Sequence, residues 1–302
     1  MSRSRYRSDR GLIARMGLTM FLLGLLFVVL GSLLVYYFKG FGLVILVVFL
    51  GAQWFFSDKL ALYGMGGRIV TPEEAPELHG IVDRLCAIAD MPKPKVAIAD
   101  TDVPNAFATG RSQSHAVVCA TTGIMRRLDE RELEGVLAHE LSHVAHRDVT
   151  VMTIASFVGV LAGFLTRMAL WSGMMGGGRR NDNNSGGAPA VAVVLLVSIV
   201  VYALSFLLIR TLSRYRELAA DRAGAYLTGQ PSALASALTK ISGEMGRIPA
   251  RDLRQAEAFN AFFFTPAIAP GFSLSSLFST HPSMEKRLEQ LGRISAELSR
   301  PA

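Results

Sequence analysis

From Met16 to Phe38 the chain runs for 23 residues without a charge. That is long enough to cross a bilayer, which takes roughly 20 apolar residues. Three more apolar runs follow, at about Phe41 to Phe56, Val149 to Trp171 and Ala188 to Ile209. They limit the possible folds more than any other feature. In water, four such surfaces would need a large soluble core to cover them, and the chain has only 302 residues. The composition points the same way: 51% hydrophobic, 18% charged, with a mean hydropathy of +0.36. A soluble domain carries about 25% charge. The runs therefore read as membrane helices, with a pair of buried core helices as the competing reading of runs three and four.

Details of the runs sharpen the topology. The first follows Arg3, Arg5, Arg7 and Arg10. It is too long for the apolar part of a signal peptide, and a second run follows almost at once. That second run ends in Trp54, Phe55 and Phe56, residues suited to a membrane interface. Only Lys39 and Gly40 separate the two, which predicts a tight membrane hairpin. Run three carries a single charge, Arg167, near its end, where it can snorkel; run four carries none. Between them lies a Gly-rich stretch with Arg179, Arg180 and Asp182, read as a flexible polar loop, with Trp171, Met174 and Met175 as an interfacial belt. The N-terminal arginines favour a cytoplasmic start.

The formal charge of +7 sits in arginines beside the apolar runs, and no basic stripe is interleaved with aromatics. Membrane anchoring is expected and nucleic-acid binding is not. Cys86 and Cys119 are too few for a disulfide framework and read as small buried residues. The expected division is a tail and hairpin over 1–56 and a polar stretch over 57–148. A second membrane pair spans 149–209, with an outer loop at 172–187, and a second polar stretch covers 210–302.

In the first polar stretch a helical pattern covers Pro76 to Ala89, and candidate strands cover Val96 to Ala99 and Ala116 to Ala120. A further helix is capped by Asp129, with Glu132 three residues on. On it sits His139-Glu140-Leu141-Ser142-His143. Residues four apart share a helix face, so His139 and His143 can grip one metal ion. Glu140, turned about 100° away, can take a proton from water activated there. A solvated polar face is the plain alternative for so short a motif.

A catalytic zinc needs a third protein ligand. A metzincin-type third histidine would fall at position 149, which is Val149, and the glycine of that pattern is replaced by His146. His146 and Asp148 lie too close to His143 along the chain to complete a tetrahedron easily. From Val149 to Arg216 there is no His or Cys, and Asp182 is the only carboxylate. The next candidate is Glu217, with Asp221 four residues on and free to hold a histidine by its second nitrogen. By themselves these two read more readily as surface charges paired with Arg214, Arg216 or Arg222. Topology adds a check: His139 precedes run three and Glu217 follows run four, so two crossings return both to one side.

The ordered segments Pro104-Asn105-Ala106-Phe107-Ala108-Thr109-Gly110, His139-Glu140-Leu141-Ser142-His143 and Glu217-Leu218-Ala219-Ala220-Asp221 resemble those of the HtpX family of membrane proteases, as do His281-Pro282 and Arg287. That family is related to the zinc proteases that cleave prenylated CAAX proteins. The resemblance covers nearly the whole chain. It implies a mainly α fold, with membrane-embedded helices and an α+β protease domain of the zincin (gluzincin) type around a small β-sheet. It implies one zinc per chain on His139, His143 and Glu217, with Glu140 as general base and acid. It also implies quality control of damaged or misassembled membrane proteins. The basic N-terminus and the two returning pairs of crossings place the zinc site, by expectation, at the cytoplasmic face of the cell membrane.

Within that reading, His281 is the candidate oxyanion donor, or else a loop residue before a Pro282 that opens the last helix. Asn105, Ala106, Phe107 and Ala108 are the candidate substrate edge, pairing with an extended peptide through the backbone; an ordinary hairpin loop is the alternative. His79 and His115 lack partners at ligand spacing and are expected at the surface. A protease dedicated to one substrate or to a prenylated tail is the nearest competing function. A four-helix membrane scaffold with a structural metal is a more distant one, because runs one, two and four contain no acidic residue and no histidine.

Overall fold

The computed structural model describes residues 10–110, 112–146, 148, 151–152, 161–163, 166–167, 187–245 and 281–300. Most of run three, residues 172–186 of the Gly-rich loop, and Trp171, Met174 and Met175 lie outside the described residues.

The first helix, α1, runs unbroken over Arg10–Gly64, through Lys39 and Gly40. A straight helix would set Leu23 and Leu62 about 58 Å apart at 1.5 Å per residue. Leu23 packs on Leu212 of the later helix that carries Glu217, and Leu62 packs on Phe107, beside the Ala108 contact to Glu140, so the segment is not one straight rod.

A small mixed sheet follows, built from β1 (Gly67–Ile69), β2 (Lys95–Ala99), β3 (Ala106–Thr109) and β4 (Val117–Thr121) in the order β1-β2-β4-β3. β2 and β4 are parallel; the outer pairs are antiparallel. β2 and β4 match the two expected strands to within a residue. β1 is three residues long, too short to show a period in sequence. Gly110 ends β3 at φ +140°, where a Cβ would lie 2.6 Å from the Ala116 backbone, so only glycine fits this turn.

Helix α2 (Pro76–Ala89) starts with proline at its first position and ends at Asp90 in the left-handed region, φ 53°. Its apolar face, with Leu78, Ile81, Val82 and Leu85, packs into the main core. That core also takes Val118 and Ala120 of β4 and Val136, Leu137 and Leu141 of α4 (Glu130–Ala145). A short helix, α3 (Thr122–Arg127), links β4 to α4. Leu62, near the end of α1, packs on the other side of the sheet with Ala97, Phe107 and Cys119.

Helix α5 (Gly187–Thr228) is 42 residues long and carries run four and the Glu217 segment on one continuous rod. Then come α6 (Pro231–Met245) and α7 (Met284–Leu298). Ser283 is the N-cap of α7, so Pro282 stands just outside the helix rather than at its first turn.

Among the described residues, two helices have stretches long and apolar enough to span a bilayer, Ala14–Ser32 and Leu195–Thr228, with hydropathies of 2.0 and 2.3. Only 17% and 22% of these windows is buried within the protein. A core helix would be mostly covered; these present Leu18, Phe21, Val28, Leu196 and Val200 outward. Cys86 and Cys119 are free and buried, as expected. His79 corrects the surface expectation: it is buried, with Nε2 3.1 Å from the Val70 carbonyl. His115 is exposed, against Ser112 and Ser114.

Candidate metal centre

Helix α4 begins with a full capping box. The Asp129 side chain accepts from the Glu132 N–H at 2.9 Å, and the Glu132 carboxylate accepts from the Asp129 N–H at 3.0 Å. Glu132 is tied in turn to Ser236 and Lys240 of α6. The helix is thus fixed at its start, and its buried face carries His139 and Glu140 inward.

The third group comes from α5. Gly224 lets that helix approach α4 closely: a Cβ there would sit 3.0 Å from the His139 backbone nitrogen. About two turns earlier, Glu217 reaches the two imidazoles. His139 Nε2 is 3.2 Å from His143 Nε2 and 3.7 Å from Glu217 Oε2, and His143 Nε2 is 3.4 Å from Glu217 Oε1. These are the His, His and carboxylate atoms that could together hold a metal ion. Donors bound to zinc at 2.0–2.1 Å in a tetrahedron stand about 3.3 Å apart, so the donor set fits that ion.

Behind these three lies a set of buried ties. His139 Nδ1 is 2.9 Å from Asp221 Oδ1. Asp221 accepts two hydrogen bonds from Arg287 of α7, Nε to Oδ2 at 2.7 Å and a terminal nitrogen to Oδ1 at 2.6 Å. Arg287 also stands 3.8 Å from Glu217 Oε2. Asp221 therefore pairs with Arg287 and not with Arg214, Arg216 or Arg222, the partners weighed from sequence. Which arginine reaches it depends on how α7 docks on α5, and no local pattern carries that. Asp148, set aside above, lies 2.7 Å from His143 Nδ1. His146 turns back on its own helix, with Nδ1 2.8 Å from the Ser142 carbonyl.

His281 is buried, with Nδ1 3.3 Å from Glu217 Oε2. It touches the carboxylate of the three-group cluster directly. Asn105, Ala106, Phe107 and Ala108 have buried side chains, and Phe107 belongs to the cluster under the sheet. What β3 presents is its backbone, because it is the last strand of the sheet. The Ala108 N–H donates to Glu140 Oε2 at 2.9 Å, so the strand edge and the carboxylate between the histidines are in contact.

The electrostatics follow from burial. Desolvation pushes the Glu140 carboxyl up to about 7, into the range where a carboxylate both takes and returns a proton near neutral pH. Burial lowers the pKa of His139, which favours the neutral form that a ligand requires. His143 is also desolvated, but Asp148 and Glu217 beside it outweigh that and raise it to about 10. A metal entering here has to displace that proton, so binding weakens as pH falls.

With this geometry in hand, comparison with known proteins is informative. Residues 72–295 match peptidase family M48. A protease HtpX homolog of Streptomyces coelicolor is 61% identical, covering 98% of this chain and 96% of that one. One from Methanosarcina mazei is 53% identical over 98% and 99%, and one from Moorella thermoacetica is 54% identical over 98% of each chain. The crystal structure of S. mikatae Ste24p shares the fold, with a TM-score of 0.53 at 16% identity, covering 94% of this chain and 67% of that one. Matched over most of its length and carrying the His-His-Glu cluster, the chain belongs to peptidase family M48 as a membrane metalloprotease of the HtpX type.

Proposed function

We propose that the chain is a zinc-dependent endopeptidase that binds one ion per chain on His139, His143 and Glu217. The observation that carries this is the convergence of three donor atoms at tetrahedral spacing, with Glu140 beside them and in contact with the last strand of the sheet. When bound, zinc supplies a Lewis acid that polarises a carbonyl and acidifies water. Glu140 takes the proton from the attacking water and hands it to the leaving amine. The β3 edge aligns an extended peptide through backbone pairing, which reads no side chain and so admits many sequences. Asp221 holds the His139 ring, and His281 donates to Glu217 and lies close enough to the cluster to meet an oxyanion.

We further propose that this site works at the cytoplasmic face and that its substrates are damaged or misassembled membrane proteins. The packing of α1 favours this placement. Met16, Met20 and Leu23, just beyond the basic N-terminus, pack with Leu208, Ile209 and Leu212 of α5, five residues before Glu217. The start of α1 therefore lies near the metal centre, and the arginines that precede it in sequence favour the cytoplasm. Proteolysis of casein by detergent-solubilised protein tests the core reading. Cleavage should vanish with chelator and return with zinc. Cleavage indifferent to chelator would refute it.

A further inference from the structure

We infer that Asp148, gripped by Arg216, is the residue that positions the His143 imidazole for the metal, and that this pair closes the membrane excursion of the chain onto the active site. The inference rests on the proposed metal reading and assigns a role to two residues outside it.

The geometry is specific. His143 turns Nε2 toward His139 and Glu217, and its other nitrogen, Nδ1, lies 2.7 Å from Asp148 Oδ2. A carboxylate at Nδ1 keeps the proton there, which leaves the Nε2 lone pair aimed at the ion and fixes the ring plane. The same oxygen, Asp148 Oδ2, is 3.0 Å from a terminal nitrogen of Arg216. Both side chains are buried, at 7% and 8% exposure. A surface ion pair would be solvated and nearly worthless; a buried one must be compensated on both sides.

The placement in the chain gives the pair its second role. Asp148 is the last residue before run three, and Arg216 follows run four and directly precedes Glu217. The stretch from 149 to 215 begins and ends at this pair in sequence. The contact therefore sets the His143 ring and the Glu217 helix relative to each other at the point where both membrane segments meet the site. The His139 side is built more strongly: there Arg287 uses two nitrogens on both oxygens of Asp221, whereas Arg216 reaches Asp148 through one nitrogen and one oxygen. Loosening the His143 side should thus weaken metal binding and leave the fold standing.

The test uses the full-length protein in detergent. Zinc affinity is measured by competition with a chromophoric chelator, and ligand geometry by the visible spectrum of the cobalt(II)-loaded protein. Asp148→Ala should weaken zinc 10–100-fold, as for other groups that orient a ligand, and should shift the cobalt bands. Asp148→Asn keeps an acceptor but no charge and should fall between. Arg216→Met should weaken zinc less than Asp148→Ala, and Arg216→Lys should restore most of the affinity. KM for a peptide substrate should stay put while kcat falls. If Asp148→Ala does not fold, Asp148→Asn and Arg216→Met decide the matter. Wild-type zinc affinity and an unshifted cobalt spectrum in those two would overturn the inference while leaving the metal reading intact. A wild-type protein that takes up no zinc would sink the metal reading and this inference together.

Discussion

The two halves of α5 obey opposite rules. In the first, large apolar side chains point outward: Leu196 is 64% exposed, and Val193, Ile199 and Val200 are similar. In the second, Asp221 is wholly buried and pairs with an arginine, Arg287, that is 1% exposed. One helix thus shows greasy surface at one end and buried charge at the other. Neither pattern is stable in water alone. Outward Leu and Val require lipid, and inward Asp and Arg require each other together with a polar centre to serve. The difference shows that this helix is a beam joining two solvents, and that the metal centre hangs from the end of a membrane anchor.

The largest expected effect tests the polar end. Glu140→Gln keeps the shape of the carboxylate but cannot accept a proton. Cleavage should fall by about two to four orders of magnitude, with zinc content unchanged. A variant that retains activity would break the proposed division of labour between the carboxylate and the three ligands.

Next comes the buried charge itself. Arg287→Ala strands Asp221 without its partner, and losing one member of such a pair costs about 3–5 kcal/mol. The melting temperature in detergent should drop steeply, and a melting curve that does not move would mean that Asp221 has water or another cation beside it. At the apolar end, Leu196→Arg should cost about 2.5–3.5 kcal/mol if that face meets lipid. Resistance to alkaline extraction from membranes reads this directly. Unimpaired insertion would make the first half of α5 a water-facing helix and dissolve the contrast.

Some of this architecture could be read directly from the chain. His139, Glu140 and His143 sit within five residues on one helix, so their spacing alone brings them together. The capping pair Asp129 and Glu132 is equally local, as are the bounds of α2, β2 and β4. Glu217 emerged as a candidate because the 68 residues before it offer so few donors. Asp148 and Arg287 stayed hidden as partners, for two reasons. Asp148 acts on a neighbour five residues back across a helix end, and Arg287 acts 66 residues away through the docking of α7.

A smaller effect concerns pH. Burial raises the Glu140 carboxyl to about 7, and its working form is the ionised one. The rate should therefore fall tenfold per unit as pH drops below that pKa and level off above it. A cation on the three neighbouring ligands pulls the value down, so the acid limb of kcat should centre at or below pH 7. A limb that survives unchanged in a variant with residual activity at position 140 would assign it to another group.

The account depends most on Glu217, because it is the proposed metal ligand carried by the membrane-anchored helix. The direct measurement is zinc per chain in purified wild-type protein and in Glu217→Ala, with Asp182→Ala in the Gly-rich stretch as control. We predict about one zinc in the wild type and in Asp182→Ala, and a large loss in Glu217→Ala. A Glu217→Ala protein that still holds one zinc with wild-type affinity would contradict the account and move the third ligand elsewhere.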